Sequence, residues 1–368
     1  MNAERLHVFQ QKIANENGTF AFVQSKENLF YLTGFRTDPH ERLIGLFVFP
    51  EDVFLIAPKM EEELVRAVGF NEKVVTYSDA ENPWQKIAHV VNKKTLVGDT
   101  VFLEERTVPY ARVLELQKLQ PSAHINDCES MLMNQRLLKS ADERSSMRRA
   151  ATLADEGVRA GVNALKNGVT ELEVIAKIEY DLRKQGVREM SFNTLVLFGE
   201  NAASPHGVPG ERTLAPGEAV LFDLGVVFAG YCSDITRTVF YGEPSTKMRT
   251  IYETVLGAQR AALAISKPGT VLGQIDAAAR SVIKEAGYGD YFPHRVGHGL
   301  GVDVHEFPSL NETNTDRLQA GMTYTIEPGI YVPALGGVRI EDDVLVTEES
   351  HECLTHYPKE LTIVPASP

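Results

Sequence analysis

At 368 residues the chain is longer than one average core fills, so two domains, or one domain with a large appendage, are expected. Its 43% hydrophobic and 24% charged residues give the balance of an ordinary globular protein, which argues against extensive disorder. A formal net charge of −13, from 50 acidic and 37 basic residues, would repel a phosphate backbone and disfavours non-specific nucleic-acid binding, while suiting cations. Cys128, Cys232 and Cys353 form no CxxC pair, and their odd number suggests a reducing compartment. The start, Met1 to Leu6, lacks the basic-then-apolar order of a signal peptide, and no apolar run approaches the roughly 18 residues that span a bilayer. The expectation is a cytoplasmic chain without a membrane partner.

Leu6, Phe9 and Ile13 fall at helical spacing in an opening amphipathic helix. It leads into Phe20-Ala21-Phe22-Val23 and then Asn28 to Leu32 before Thr33-Gly34, an alternation of helix and strand. The apolar segments 43–49 and 53–56 flank Pro50-Glu51-Asp52, a hairpin signal. A helix is predicted after Pro83-Trp84, and a short strand at Val101-Phe102-Leu103. Residues 1–126 are thus expected to form a smaller α/β domain without a cluster of metal-type ligands.

From 127 to 368 the texture changes. Long helical stretches, Ser140 to Lys166 and Glu171 to Gln185, are separated by Asn167-Gly168-Val169-Thr170, where a glycine stop meets a threonine N-cap. A strand-rich region follows Gly186, interrupted by helices around 246–265 and 273–286. That order favours an α+β domain. No internal repeat is evident in the sequence.

The chemistry gathers in this second part. Val220-Leu221-Phe222-Asp223-Leu224-Gly225 is an apolar strand with a carboxylate inside it, which is costly unless paired or bound to a metal. Eleven residues on, past Ala229-Gly230, Asp234 supplies a second carboxylate that a neighbouring antiparallel strand could bring close. Such a pair repels itself unless protonated or bridged by cations. The stretch from His294 to Glu306 carries His294, His298 and His305 among glycines that let backbone approach a bound group. Glu327 ends a short apolar strand, and Arg339 and Glu341, two residues apart, should face one cavity. Four carboxylates and one imidazole make a mainly hard-oxygen site suited to Mn²⁺, Co²⁺, Fe²⁺ or Zn²⁺. Two divalent ions would cancel the four charges.

The blocks FDLG, GYCSDITRT, HRVGHGLGVDVHEFP, TIEPGIYVP and GGVRIEDD together resemble the Xaa-Pro dipeptidases, or prolidases. Their superfamily also holds aminopeptidase P, methionine aminopeptidase and creatinase. The N-terminal stretch TGFRTDPHERLIGLFVFP is similar to that of the short bacterial prolidases. The resemblance implies a C-terminal pita-bread catalytic domain behind a creatinase/prolidase-like N-terminal domain, and cleavage of the bond preceding proline by a hydroxide bridging two metal ions, most readily Mn²⁺. It implies that Asp223 chelates one ion, that Asp234 and Glu341 bridge both, and that His298 and Glu327 complete the second ion's shell. Creatinase lacks this ligand set, so the metal-free branch is disfavoured. Glu327 would handle the proton, His305 would stabilise the oxyanion, and His206, His294, His305 and Arg339 would line the substrate site, with Arg339 nominated for the dipeptide's carboxylate.

Blander readings stand beside these. His206, His294 and Arg339 could serve local hydrogen bonds or a salt bridge, Arg295 could pair with surface acid, and Cys232, though in parity with Asp234, fits small-core packing. Residues 38–42 read as a charged loop, although in dimeric relatives such a loop can close the other subunit's cavity, and a homodimer is expected. The alternatives are aminopeptidase P acting on longer peptides and, from another class, a non-catalytic peptide- or protein-binding module. A dinuclear phosphoesterase is disfavoured because there is no P-loop.

Overall fold

The computed structural model describes residues 2–366, and the chain divides into two compact units between Gln135 and Arg136. The division falls beyond residue 126 because the helix Glu129–Arg136 is tied to the first unit's opening helices. Lys12 Nζ donates to the Met131 carbonyl at 2.9 Å, Tyr31 Oη to the Gln135 carbonyl at 2.9 Å, and Gln135 Nε2 to the Arg5 carbonyl at 2.7 Å.

The first unit is a six-stranded mixed sheet in the order Lys73–Tyr77, Val53–Pro58, Gly45–Val48, Gly18–Val23, Thr100–Leu103, His124–Asp127. The predicted hairpin is present: Val48 pairs with Val53, and Phe49 N donates to the Asp52 carbonyl at 2.8 Å. The segment around Asn28–Leu32 is the helix Lys26–Thr33, capped by Ser25 and stopped by Gly34 at φ 81°. Aromatic side chains dominate this core, with the Phe47 and Phe54 rings stacked 4.7 Å apart.

The second unit places a helix pair against a sheet twice. Ala141–Ala164 and Glu171–Lys184, each opened by a capping box, pack on the antiparallel strands Leu195–Phe198, Glu218–Leu224 and Ile235–Tyr241. Thr246–Ala264 and Leu272–Glu285 pack on a five-stranded sheet that contains Gly297–Gly299, Thr323–Ile326 and Asp342–Val346. This α+β arrangement has the expected helices, and its duplication is one the sequence did not display. Among the described residues no helix is long and apolar enough to cross a membrane.

Strand alternation decides where the charged residues go. Val220, Phe222 and Leu224 enter the helix-backed core, so Asp223 between them faces the other side with Leu221. Likewise Tyr324 and Ile326 are core while Thr325 is not, and Val338 and Ile340 are core while Arg339 and Glu341 are not.

Candidate functional site

The faces turned away from the helices share a cavity of about 400 Å³ lined by Asp223, Asp234, His298, Glu327 and Glu341, by His206, His294, His305, Arg295 and Arg339, and by Phe192, Leu195 and Pro205. All nine residues nominated in the sequence for the metal and substrate sites therefore line one cavity, with Arg295 beside them. Leu195, Asp223 and Thr236 form one row across the sheet, since Asp223 is the register partner of both. Asp234 immediately precedes the strand that carries Thr236.

Asp234, His298 and Glu341 are buried and offer ligand atoms that all lie within 4.8 Å of one another. His298 Nε2 is 3.3 Å from Glu327 Oε1 and 3.8 Å from Asp234 Oδ2, while its Nδ1 lies 3.1 Å from the Gly299 carbonyl. A donor at Nδ1 leaves Nε2 with its lone pair toward the acids, the tautomer a metal needs. Burial, then the neighbouring His305, push the His298 ring down to about 3, so it stays neutral. Its strand is squeezed: a Cβ at Gly297 would lie 1.9 Å from the Thr325 carbonyl and one at Gly299 2.0 Å from that of Phe307. These glycines admit neighbouring backbone, where the sequence had suggested a bound group.

Arg339 pairs with Asp223, while Asp234 and Glu341 crowd other acids. Burial first, then Glu341 and Asp223, raise the Asp234 carboxyl well above its ordinary range. Burial, then Glu327 and Asp223, do the same to Glu341. Glu327 is pushed up to about 7, again chiefly by burial. Asp234 Oδ1 and Glu341 Oε1 have no hydrogen-bond partner although both are buried. Orphaned carboxylate oxygens that converge with a neutral imidazole fit a divalent cation, whose charge would relieve the repulsion.

Several supporting residues were not singled out in the sequence. Thr236 Oγ1 donates to Glu341 Oε2 at 2.6 Å and accepts Arg339 Nε at 2.9 Å, and its carbonyl accepts Glu341 N at 3.1 Å. Asp343 Oδ2 accepts the Asp234 backbone N–H at 3.0 Å, and Thr325 Oγ1 accepts that of His298 at 3.2 Å. The antiparallel pairing of the Asp223 strand with the strand that follows Asp234 was the signal that could have found Thr236 opposite Asp223. Nothing in the local sequence marks Asp343 apart from its equally acidic neighbour.

Other placements differ in detail from the sequence-based expectations. Arg339 is buried and donates to Asp223 Oδ2, to Tyr331 Oη at 2.8 Å and to Thr236, so part of its guanidinium is engaged by the protein. His294 Nε2 lies 3.0 Å from Tyr331 Oη and its Nδ1 2.8 Å from the Arg295 carbonyl, which occupies both ring nitrogens. His206 and His305 are exposed at the cavity, the His305 ring centroid 4.2 Å from that of His298. Arg295 Nη1 donates to Ser309 Oγ at 3.0 Å. Cys232 Sγ packs against the Val302 carbonyl at 3.6 Å and does not line the cavity.

Residues 145–348 match the model of metallopeptidase family M24, and residues 5–138 match that of the creatinase/prolidase N-terminal domain. A Bacillus subtilis protein named "Putative dipeptidase YkvY" is 50% identical over 347 residues, which are 94% of this chain and 96% of that one. Among solved structures, a recombinant prolidase from Thermococcus sibiricus superposes with a TM-score of 0.94 at 35% identity, over 99% of each chain. An Xaa-Pro dipeptidase from Bacillus anthracis gives 0.91 at 31% identity, over 99% of this chain and 100% of that one.

Proposed function

The chain belongs to metallopeptidase family M24, and on that premise we propose that it hydrolyses the peptide bond preceding proline, with Xaa-Pro dipeptides as its substrates. The observation that carries the reading is the convergence of Asp234, His298 and Glu341 with two buried, unpartnered carboxylate oxygens. Asp223, Asp234, His298, Glu327 and Glu341 would hold two divalent cations, whose charge balances that of four carboxylates. The donor set suits Mn²⁺, with Co²⁺, Fe²⁺ or Zn²⁺ able to replace it. When bound, such ions polarise a scissile carbonyl and lower the pKa of the attacking water.

The chain's own groups do the rest. Glu327 takes the water's proton and delivers it to the leaving nitrogen. His305, whose pKa is lowered by partial desolvation and then by Arg295, donates an N–H to the developing oxyanion. Proline's nitrogen offers no N–H in the substrate, so recognition falls on its ring and on the end groups. Phe192, Leu195 and the His294 ring provide surface for the former, with His206 at the exposed edge. Arg339, shared with Asp223, is the cation proposed for the free carboxylate. The likeness to the two solved dipeptidases and to the Bacillus subtilis relative supports the dipeptide choice.

The test is a paired assay with Mn²⁺ present: Leu-Pro should be hydrolysed much faster than Leu-Pro-Gly. The reverse preference would move the chain to aminopeptidase P. No hydrolysis of either peptide, with no metal bound, would point to a non-catalytic binding module.

A further inference from the structure

One wall of the cavity is anchored from a helix that contributes no lining residue. Asp276 and Arg280 lie one turn apart on Leu272–Glu285 and form a forked pair, with Arg280 Nε 2.8 Å from Asp276 Oδ2 and Nη2 3.0 Å from Oδ1. The same guanidinium donates to the Phe292 carbonyl at 3.0 Å and the His294 carbonyl at 2.8 Å. Asp276 Oδ1 also accepts the Val296 N–H at 2.9 Å, and the Val296 carbonyl accepts Glu327 N at 2.8 Å. Alternate backbone groups at 292, 294 and 296 therefore end on two side chains of one helix. Residue 296 passes the connection on to Glu327.

Residues 292–295 belong to no strand, and Val296, just before one, also donates its N–H to the Leu310 carbonyl at 3.2 Å. The Phe292 and His294 carbonyls accept their hydrogen bonds from Arg280. Phe292 is buried, with the Arg280 guanidinium 4.4 Å above its ring and the His294 ring edge-on at 5.0 Å. Because both His294 nitrogens are already occupied, the ring contributes to the cavity by where it stands. Its position is set by those two contacts and, through the backbone, by the anchoring of its own carbonyl.

We infer that Asp276 and Arg280 are a positioning pair that fixes the 292–296 segment and thereby the place of the His294 ring against the substrate. The inference rests on the proposed peptide-binding reading of the cavity. Lysine at 280 could still pair with Asp276, but it lacks the planar fork that serves the acid and two carbonyls together.

In the Mn²⁺-loaded protein, Arg280→Met should raise KM for Leu-Pro on the order of tenfold, with kcat and metal content changed far less. Arg280→Lys should recover part of that loss. If the pair acts through His294, the Arg280→Met/His294→Ala double variant should bind Leu-Pro no worse than His294→Ala alone. A raised KM in His294→Ala with none in Arg280→Met, or additive effects in the double variant, would overturn the positioning role and leave the cavity reading standing. An unchanged KM in His294→Ala would overturn this inference alone, whereas no action of the unaltered chain on Leu-Pro would overturn the reading beneath it and this inference with it. Should Arg280→Met fail to fold, Arg280→Lys and Asp276→Asn carry the same comparison.

Discussion

Glu341 and Asp342 are adjacent and both buried, yet the two sides of the segment that carries them treat a carboxylate in opposite ways. Behind it, Asp342 meets Arg237 Nη2 at 2.7 Å, Gln259 Nε2 at 2.6 Å, Thr355 Oγ1 at 3.0 Å and the Lys359 ammonium. Burial alone would raise its pKa, but Arg237 and Lys359 hold it at about 2. On the cavity side, Glu341 and Asp234 face Glu327, Asp223 and each other, and both carboxyls are driven upward. The chain pairs Asp342 with two cations, whereas in the cavity the arginine ion pair falls on Asp223, and Asp234 and Glu341 have no such partner.

The contrast can be broken most severely at its acidic side. Asp234→Asn should abolish Leu-Pro hydrolysis and lower bound metal, a loss beyond the roughly 10–100-fold that removal of an outer partner costs. Steady-state assay and elemental analysis would check it, and normal turnover with full metal would show that Asp234 is not a ligand. On the structural side, Asp342→Asn should cost about 3–5 kcal/mol in denaturant unfolding, because Arg237 is left buried beside a neutral amide. A loss below about 1 kcal/mol would mean the pair behaves like a surface ion pair. Thr236→Val keeps the shape and removes the hydroxyl between Glu341 and Arg339, so metal affinity should fall about 10–100-fold. An unchanged dissociation constant would remove Thr236 from the support of the centre.

The smallest effect is a pH slope of defined sign. In the metal-free protein Glu327 titrates at about 7 against an ordinary 4.5, so the folded state binds more protons than the unfolded state between these values. Stability from this group is complete below 4.5 and is lost as pH rises to about 7. The thermal stability of the EDTA-treated chain relative to its Glu327→Gln variant should therefore decline across that window, a comparison that cancels the opposite slope from His294 and His298, which are held down to about 4 and about 3 in both. A relative stability that rose over the same interval would contradict the raised Glu327 carboxyl.

Much of this was legible from spacing. Asp223 stood out because a carboxylate inside the apolar strand Val220-Leu221-Phe222-Asp223-Leu224 is costly unless paired or bound to a metal, and the structure turns it to the cavity. Arg339 and Glu341 keep a common face although Glu341 lies just beyond its strand, because Val338 and Ile340 continue the alternation. What was hidden depends on contacts between distant segments. Thr236 becomes visible only once strand register places it opposite Asp223, and Arg280 only once its helix meets residues 292–296. The engagement of Arg339 by Asp223 and of His294 by Tyr331 is likewise a property of the assembled cavity.

Calorimetric titration of the EDTA-stripped chain with Mn²⁺ tests most directly the proposal that the cavity's acids would hold two cations. About two ions per chain should bind with release of protons as the raised carboxyls ionise, and Leu-Pro hydrolysis should appear with them. Full hydrolysis with no metal bound, or binding without any proton release, would contradict it.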